Sequence, residues 1–284
     1  MSTQPHQSFT LAALLRLTRF WNLVIIAVSQ YATVGWLIDS RHLWDYRLFL
    51  LSASTVLIAA AGYIINDYYD IKIDLINKPD RVVIGKNITR RYAILFHTAL
   101  SFLGVSLGFL LGWKIGVIHF FSSSLLWWYS NNLKRQPFVG NLSIALLTGL
   151  SIAVLNVYFQ TINKLVIIYA VFAFFITLVR EIIKDMEDLK GDNTFGCRTL
   201  PIIWGVRKTK FLVYGLIVSF GALVFALNRT LVGLPDFYFA VFLFIPLGWL
   251  LARLIRADTV RDFYRLSLVC KIIMLLGILS MALV

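Results

Sequence analysis

The chain has 284 residues, of which 59% are hydrophobic and 14% charged, and its mean hydropathy is +0.79. Soluble domains carry about 25% charged residues, so this composition excludes an ordinary soluble protein and indicates a membrane protein. A net charge of +13 is also found in nucleic-acid-binding proteins, but no nucleic-acid-binding motif accompanies it. Cys197 and Cys270 lie far apart, and neither they nor the four histidines have the spacing of a disulfide framework or a metal cluster.

Apolar stretches of roughly the length that crosses a bilayer, about 20 residues, recur along the chain. They predict nine transmembrane helices, at residues 17–38, 47–66, 92–112, 114–133, 138–160, 164–183, 211–228, 237–254 and 267–284. The first contains Asn22 and Gln30 and lacks a small-residue cleavage site, so we expect a retained helix rather than a signal peptide. The predicted fold class is all-α, a polytopic membrane protein with residues 1–284 in a single integral-membrane domain.

The basic residues are distributed unevenly between the two sides of the predicted spans. Of the 27 Lys and Arg, 21 lie at the N-terminus or near the loops after spans 2, 4, 6 and 8, and only 5 near the other loops. Because cytoplasmic loops carry the excess of Lys and Arg, the N-terminus is predicted to lie inside and the C-terminus outside. The predicted location is the cell inner membrane.

Two acidic stretches follow spans 2 and 6, on the predicted cytoplasmic side: NDYYDIKIDLINKPDR at 66–81 and KDMEDLKGD at 184–192. Charged groups next to hydrocarbon are costly, and such positions usually mark function. The carboxylates of both stretches have the spacing D-x-x-D-x-x-x-D: Asp67, Asp70 and Asp74 in the first, and Asp185, Asp188 and Asp192 in the second.

Carboxylates three and seven residues apart share one face of a helix, where like charges repel unless a cation neutralises them. If span 2 continues as a helix past Ile65, the three aspartates form such a stripe, with Asn66 beside Asp70. Mg²⁺ prefers oxygen ligands and is held by one or two carboxylates together with substrate phosphates. Two repeated stripes therefore indicate a site for Mg²⁺ and a diphosphate, whereas a single stripe would fit a solvated helix end equally well.

Basic and aromatic residues surround these stretches. The candidate donors to diphosphate oxygens are Lys78, Arg81, Lys134, Arg135, Lys184 and Arg198. Lys134 is favoured because it follows the aromatic cluster WWYSNNLKR, whose Trp127 and Trp128 also suit a membrane interface. Arg180 and Glu181 are expected to pair with each other. Tyr63, Tyr68 and Tyr69 are candidates to face a carbocation.

The ordered motifs RFWN (19–22), NDYYDIKID (66–74), INKPDR (76–81), YSNNLKR (129–135), KDMEDLKGD (184–192) and GCRTLPIIWG (196–205) resemble the UbiA superfamily of intramembrane prenyltransferases. This resemblance implies nine transmembrane helices around a central cavity with the two Asp-rich motifs at its cytoplasmic mouth. It implies that Asp70, Asp74, Asp188 and Asp192 are catalytic. The implied ligands of Mg²⁺ and diphosphate are Asn66, Asp70, Asp74, Asp188 and Asp192, to which Asp67 and Asp185 are added as members of the same motifs. Asn22, Arg81 and Lys134 are implied substrate-binding positions.

Within the family, the motifs most resemble geranylgeranylglyceryl phosphate geranylgeranyltransferases, which act on a lipid acceptor. The sequence departs from that group at Lys78, Val82 and Phe20, none of which is a carboxylate position. The expected partners are a polyprenyl diphosphate donor, a lipid or aromatic acceptor and membrane lipids, with no nucleic acid; the oligomeric state is open. The alternatives are an aromatic prenyltransferase of quinone biosynthesis acting on 4-hydroxybenzoate or a naphthoate, a membrane transporter, and a catalytically idle lipid-binding relative.

Overall fold

The computed structural model describes residues 10–232 and 235–284 of the chain, and these residues are almost entirely helical. The helices are α1 (Leu11–Leu17), α2 (Phe20–Ala32, continued by a π-helical turn at Thr33–Ile38), α3 (Tyr46–Asn77), α4 (Arg90–Leu111), α5 (Trp113–Asn131), α6 (Val139–Tyr158), α7 (Lys164–Glu187), α8 (Leu189–Thr194), α9 (Leu200–Leu227), α10 (Asp236–Phe239), α11 (Ile245–Ile255) and α12 (Val260–Ser280). Within the described residues the extended pairing is limited to one bridge, Ile84 to Ile88.

Eight of the helical segments in the described part of the chain are long and apolar enough to span a bilayer, as expected of an integral membrane protein. The predicted span at 114–133 forms a helix, α5, but is not one of the eight. Lys114 and His119 lie in this helix together with a run of serines, which lowers its hydropathy.

Two helices begin well before their predicted starts. α9 begins at Leu200 instead of residue 211, with Pro201 in its first turn. The chain kinks at Gly205, where φ is 78° and ψ is 157°, and the helix then continues through the basic segment that the hydropathy pattern excluded. α12 begins at Val260 instead of residue 267. Thr259 and Asp262 form a capping box at its start. The Thr259 hydroxyl accepts a hydrogen bond from the backbone N–H of Asp262, and the Asp262 carboxylate accepts one from the backbone N–H of Thr259.

The first of two compact units contains residues 10–27 together with Phe49–Asn132. At 32 residues, α3 is much longer than the roughly 20 residues that cross a bilayer, so its last turns extend beyond an apolar core of ordinary thickness. A small apolar cluster packs beside these turns and joins α1 to the segment after α3. Its buried members are Ala13, Leu17, Ile64, Val83, Ile84, Ile88 and Ala93.

The second unit contains Val28–Leu48 and Leu133–Val284. Its centre is α7, which packs against α6, α9 and α12. Ile182 and Ile183 of α7 are fully buried in the same apolar cluster as Phe220 and Cys270. The second acidic motif therefore begins at the end of a helix that is firmly packed in this unit.

Candidate active site

The first acidic motif lies on continuous helix. Asp67, Asp70 and Asp74 all fall within α3, which ends only at Asn77, so the helical stripe is present. The backbone N–H of Lys78 still bonds to the carbonyl of Asp74 at 2.7 Å. Pro79 follows, and because proline disfavours a helical conformation in the residue before it, the helix ends there.

Arg19 contacts one end of this stripe from the break between α1 and α2. Its Nη2 lies 2.8 Å from Oδ1 of Asp67, and its guanidinium lies 4.9 Å from the centre of the Tyr63 ring. Burial disfavours the charged guanidinium, but the negative charge of Asp67 and the hydrogen bond to it outweigh that cost, so the pKa of Arg19 is raised. Three residues later, in the first turn of α2, Asn22 donates a 3.2 Å hydrogen bond to the hydroxyl of Tyr63.

The loop after α3 presents the basic residues of the first unit. Val83, Ile84 and Ile88 are buried beside α1 and anchor the loop, while Arg81 is exposed. Nζ of Lys86 donates a 2.9 Å hydrogen bond to the carbonyl of Pro79, which ties the loop back to the end of α3. Lys78 and Arg81 are thus near in sequence to Asp74 and supported by a packed loop.

The second acidic motif is divided between two helices. α7 ends at Glu187, Asp188 is its C-cap, and Asp192 lies in α8. The helical hydrogen bonds nevertheless run on: the N–H of Asp188 bonds to Lys184 at 2.8 Å, and the N–H of Asp192 bonds to Asp188 at 3.2 Å. The second motif is therefore divided between the last turn of α7 and the short helix α8, which meet at Asp188, instead of lying on one uninterrupted helix as expected.

The last turns of α7 also contain an ion-pair cluster. Arg180 pairs with Glu181, as expected from the sequence, and Nζ of Lys184 lies 3.1 Å from Oε2 of the same glutamate. Glu181 is only 7% exposed, and a buried carboxylate requires such partners. Lys184, predicted to bind diphosphate, is thus engaged with Glu181.

The start of α6 brings together the remaining candidate cations of the second unit. Lys134 and Arg135 lie in a short turn just before α6, and the N–H of Arg198 bonds to the carbonyl of Arg135 at 2.8 Å. A Cβ on Gly140 would lie 2.8 Å from Cα of Lys134, so only glycine allows this close approach. The next residue, Asn141, donates a 2.8 Å hydrogen bond to Oδ2 of Asp185.

Two contact residues of the motifs were not predicted as site residues. The sequence pointed to Arg19, because this residue opens the RFWN motif, but only Asn22 of that motif was predicted to bind substrate. The sequence offered a weaker indication for Asn141, whose amide side chain lies in the first turn of an apolar helix. Such a group must find a partner in a bilayer, and its partner here is the first aspartate of the second motif.

Each motif offers a pair of partly exposed carboxylates four residues apart: Asp70 with Asp74, and Asp188 with Asp192. Among the described residues there is no group of three or more His, Cys, Asp or Glu that could by itself hold a metal ion. Mg²⁺ does not require one, because it retains several waters and is bound by one or two carboxylates with substrate phosphates. The donor set of carboxylate oxygens therefore fits Mg²⁺ bound together with a diphosphate.

Comparison with known proteins identifies the family. The model of the UbiA prenyltransferase family matches residues 22–271. This chain belongs to the UbiA prenyltransferase family. A relative from Saccharolobus solfataricus named digeranylgeranylglyceryl phosphate synthase is 32% identical over 274 residues, covering 95% of this chain and 96% of that protein. A relative from Methanosphaera stadtmanae with the same name is 36% identical over 190 residues, covering 67% of each chain.

Solved structures of UbiA family members have the same fold. A structure described as digeranylgeranylglyceryl phosphate synthase in membranes matches with a TM-score of 0.73 and 27% identity, covering 96% of this chain and 97% of that one. A UbiA homolog from Archaeoglobus fulgidus bound to DMAPP and Mg²⁺ matches with a TM-score of 0.60 and 15% identity, over 95% and 99% of the two chains. The family and the UbiA-like helical fold predicted from the motifs are confirmed.

Proposed function

We propose that this UbiA family member is a digeranylgeranylglyceryl phosphate synthase, which transfers a geranylgeranyl group from its diphosphate to geranylgeranylglyceryl phosphate and releases diphosphate. The observation that carries the proposal is the pair of intact acidic motifs in a chain whose relatives of that name are 32–37% identical. Both substrates are amphiphiles with long apolar chains, which suits a protein with eight candidate spans.

The carboxylates at the ends of α3 and α7 would hold the metal and the diphosphate. We assign Asp70 and Asp74, with Asn66 one turn earlier, and Asp188 and Asp192 to this role because they are partly exposed at helix ends. Mg²⁺ bound there would supply positive charge against the departing diphosphate. The homolog from Archaeoglobus fulgidus, bound to DMAPP and Mg²⁺, supports this choice of metal.

Basic side chains would bind the diphosphate oxygens as charge-assisted donors. We favour Lys134 and Arg81, with Lys78, Arg135 and Arg198 as further donors. Lys184 would contribute less, because its ammonium already contacts Glu181. Asn22 would bind substrate from the first turn of α2, where its amide is held by Tyr63.

The reaction breaks the C1–O bond of the prenyl diphosphate and forms a C1–O bond to the glycerol hydroxyl. The chain contributes by orienting the diphosphate, and its aromatic side chains near the first motif would shield the allylic cation from water. Tyr63, Tyr68 and Tyr69 are the candidates for this shielding. The hydroxyl proton is released as the ether forms, and the departing diphosphate is the proposed acceptor.

We further propose the orientation that the loop charges indicate. α5 would be a ninth span, crossing the bilayer as the eight more apolar helices do. The N-terminus and both acidic motifs would face the cytoplasm and the C-terminus the outside of the inner membrane, because 21 of the 27 Lys and Arg lie on the motif side.

A competition assay tests the acceptor assignment. Detergent-purified protein is given Mg²⁺, radiolabelled geranylgeranyl diphosphate and an equimolar mixture of geranylgeranylglyceryl phosphate, 4-hydroxybenzoate and a dihydroxynaphthoate. We expect label only in the diether lipid. Label in an aromatic product would retain the family chemistry and overturn the assigned acceptor, and label in no product would overturn the proposed activity.

A further inference from the structure

The first carboxylate of the first motif is held by a basic side chain. Asp67 is engaged by Arg19 through a 2.8 Å ion pair, and its side chain is 17% exposed. With about 100° between successive residues of a helix, Asp67 and Asp70 lie roughly 60° apart around the helix axis, and Asp74 lies between them, roughly 20° from Asp67. Asp67 is thus at the edge of the stripe, and that edge contacts Arg19.

The backbone of Arg19 has an unusual conformation that accompanies this contact. Its φ of 51° is in the left-handed region. This conformation costs energy for an arginine and persists only where the surrounding structure imposes it. Leu17, two residues earlier, is fully buried beside α3 and fixes the end of α1. The side chain then runs over the face of Tyr63, one turn before Asp67 on α3. Packing, ring contact and ion pair all direct the guanidinium to one carboxylate.

We propose that Arg19 is a positioning residue: it neutralises Asp67 and holds that edge of α3, so that Asp70 and Asp74 alone supply the metal carboxylates of the first motif. This inference rests on the proposed diphosphate chemistry. Its electrostatic consequence is that the negative charge of Asp67 is offset before the substrate, itself an anion, binds. Without Arg19, the uncompensated charge of Asp67 would repel the diphosphate.

The second motif contains an analogous contact within its own unit. Asp185, the first aspartate there, accepts the 2.8 Å hydrogen bond from Asn141 of α6. In both motifs the first carboxylate accepts a hydrogen bond from a side chain distant in sequence, Arg19 in the first motif and Asn141 in the second. The repeated arrangement assigns the first aspartate of each motif to the framework of the site.

Thermal-shift titrations of the detergent-purified protein test the role of Arg19 without measuring turnover. Mg²⁺ is titrated with saturating geranylgeranyl diphosphate, and then the diphosphate is titrated with saturating Mg²⁺. Asp67→Asn keeps an acceptor for Arg19, and we expect its Mg²⁺ midpoint to stay within about threefold of wild type. The matched control Asp70→Asn should raise that midpoint at least about tenfold, the effect typical of losing a metal-site contact.

Arg19→Gln should weaken binding of the diphosphate, raising its midpoint about tenfold, because Asp67 is then left charged and unneutralised. Arg19→Lys keeps the charge and should restore most of the affinity. The double variant Arg19→Gln with Asp67→Asn removes both charges, and it should bind the diphosphate better than Arg19→Gln alone. A metal ligand at position 67 would instead make the double variant worse.

A Mg²⁺ midpoint in Asp67→Asn that rises as far as that of Asp70→Asn would overturn the inference. So would a double variant no better than Arg19→Gln. If wild type binds both Mg²⁺ and the diphosphate but makes no diether lipid, the proposed acceptor fails while the inference on Arg19 stands. If neither ligand stabilises wild type, the proposed function fails and the inference with it.

Discussion

The amide of Asn141, in the first turn of α6, donates a 2.8 Å hydrogen bond to Oδ2 of Asp185, in the last turn of α7. Asn141 is 7% exposed, so the bond joins two neighbouring helices in a region with little water. It also links the turn that carries Lys134 to the second acidic motif, because Gly140 packs directly on the backbone of that turn. The structure of the second motif therefore depends on the start of α6 as well as on α7.

Replacing Asn141 with leucine should destabilise the protein by about 1–3 kcal/mol, the cost of leaving the facing carboxylate oxygen of Asp185 without its hydrogen bond. Thermal unfolding of the purified protein in detergent measures the effect. Asn131→Leu, at an exposed position of α5, is the control and should change the unfolding temperature little. Equal unfolding temperatures for Asn141→Leu and wild type would show that this bond does not stabilise the packing of α6 on α7.

Asp70→Asn and Asp188→Asn should each reduce kcat for prenyl transfer by at least about 100-fold, the order observed when one group that stabilises developing charge is removed. Both positions are partly exposed, so we expect the unfolding temperature to remain near that of wild type. Transfer rates and melting curves on the same preparations separate the two effects. Wild-type turnover in a folded variant would remove that carboxylate from the proposed site.

Lys134→Ala should raise KM for the prenyl diphosphate by roughly 10- to 100-fold, corresponding to a charge-assisted hydrogen bond of about 1.5–3 kcal/mol. Initial rates over a range of donor concentrations give KM and kcat separately. Lys114→Ala is the matched control, since Lys114 is exposed at the opposite end of α5. An unchanged donor KM in Lys134→Ala would exclude this lysine from diphosphate binding.

Gly140→Ala tests the close packing behind Lys134. The added Cβ would lie 2.8 Å from Cα of Lys134 and 2.9 Å from the carbonyl oxygen of Leu133, so the backbone must move. Overpacking of this kind costs about 1–3 kcal/mol. Gly248→Ala adds the same atom to open space on α11 and should be tolerated. Comparable melting temperatures for the two variants would contradict the close approach.

The sequence predicted the helical class and the two acidic motifs because both depend on local patterns, hydropathy and the spacing of Asp. The extent of α9 was missed because its first turns contain a basic segment and Gly205, which has a φ of 78° inside the helix. The second motif divides at Asp188, where a φ of −91° and a ψ of 7° end α7, and the spacing of the aspartates carries no local signal for this break. The partners Arg19 and Asn141 are 48 and 44 residues from the aspartates they contact, and such distant pairs depend on tertiary structure.

One measurement tests the proposed prenyl transfer most directly: the stoichiometry of diether lipid formed to diphosphate released. Purified protein is incubated with Mg²⁺, geranylgeranyl diphosphate and geranylgeranylglyceryl phosphate, and both products are quantified over time. We expect a ratio of one to one, with both products lost when EDTA is added and recovered when Mg²⁺ is restored. Diphosphate release without the ether, or binding of both substrates without either product, would contradict the proposed function.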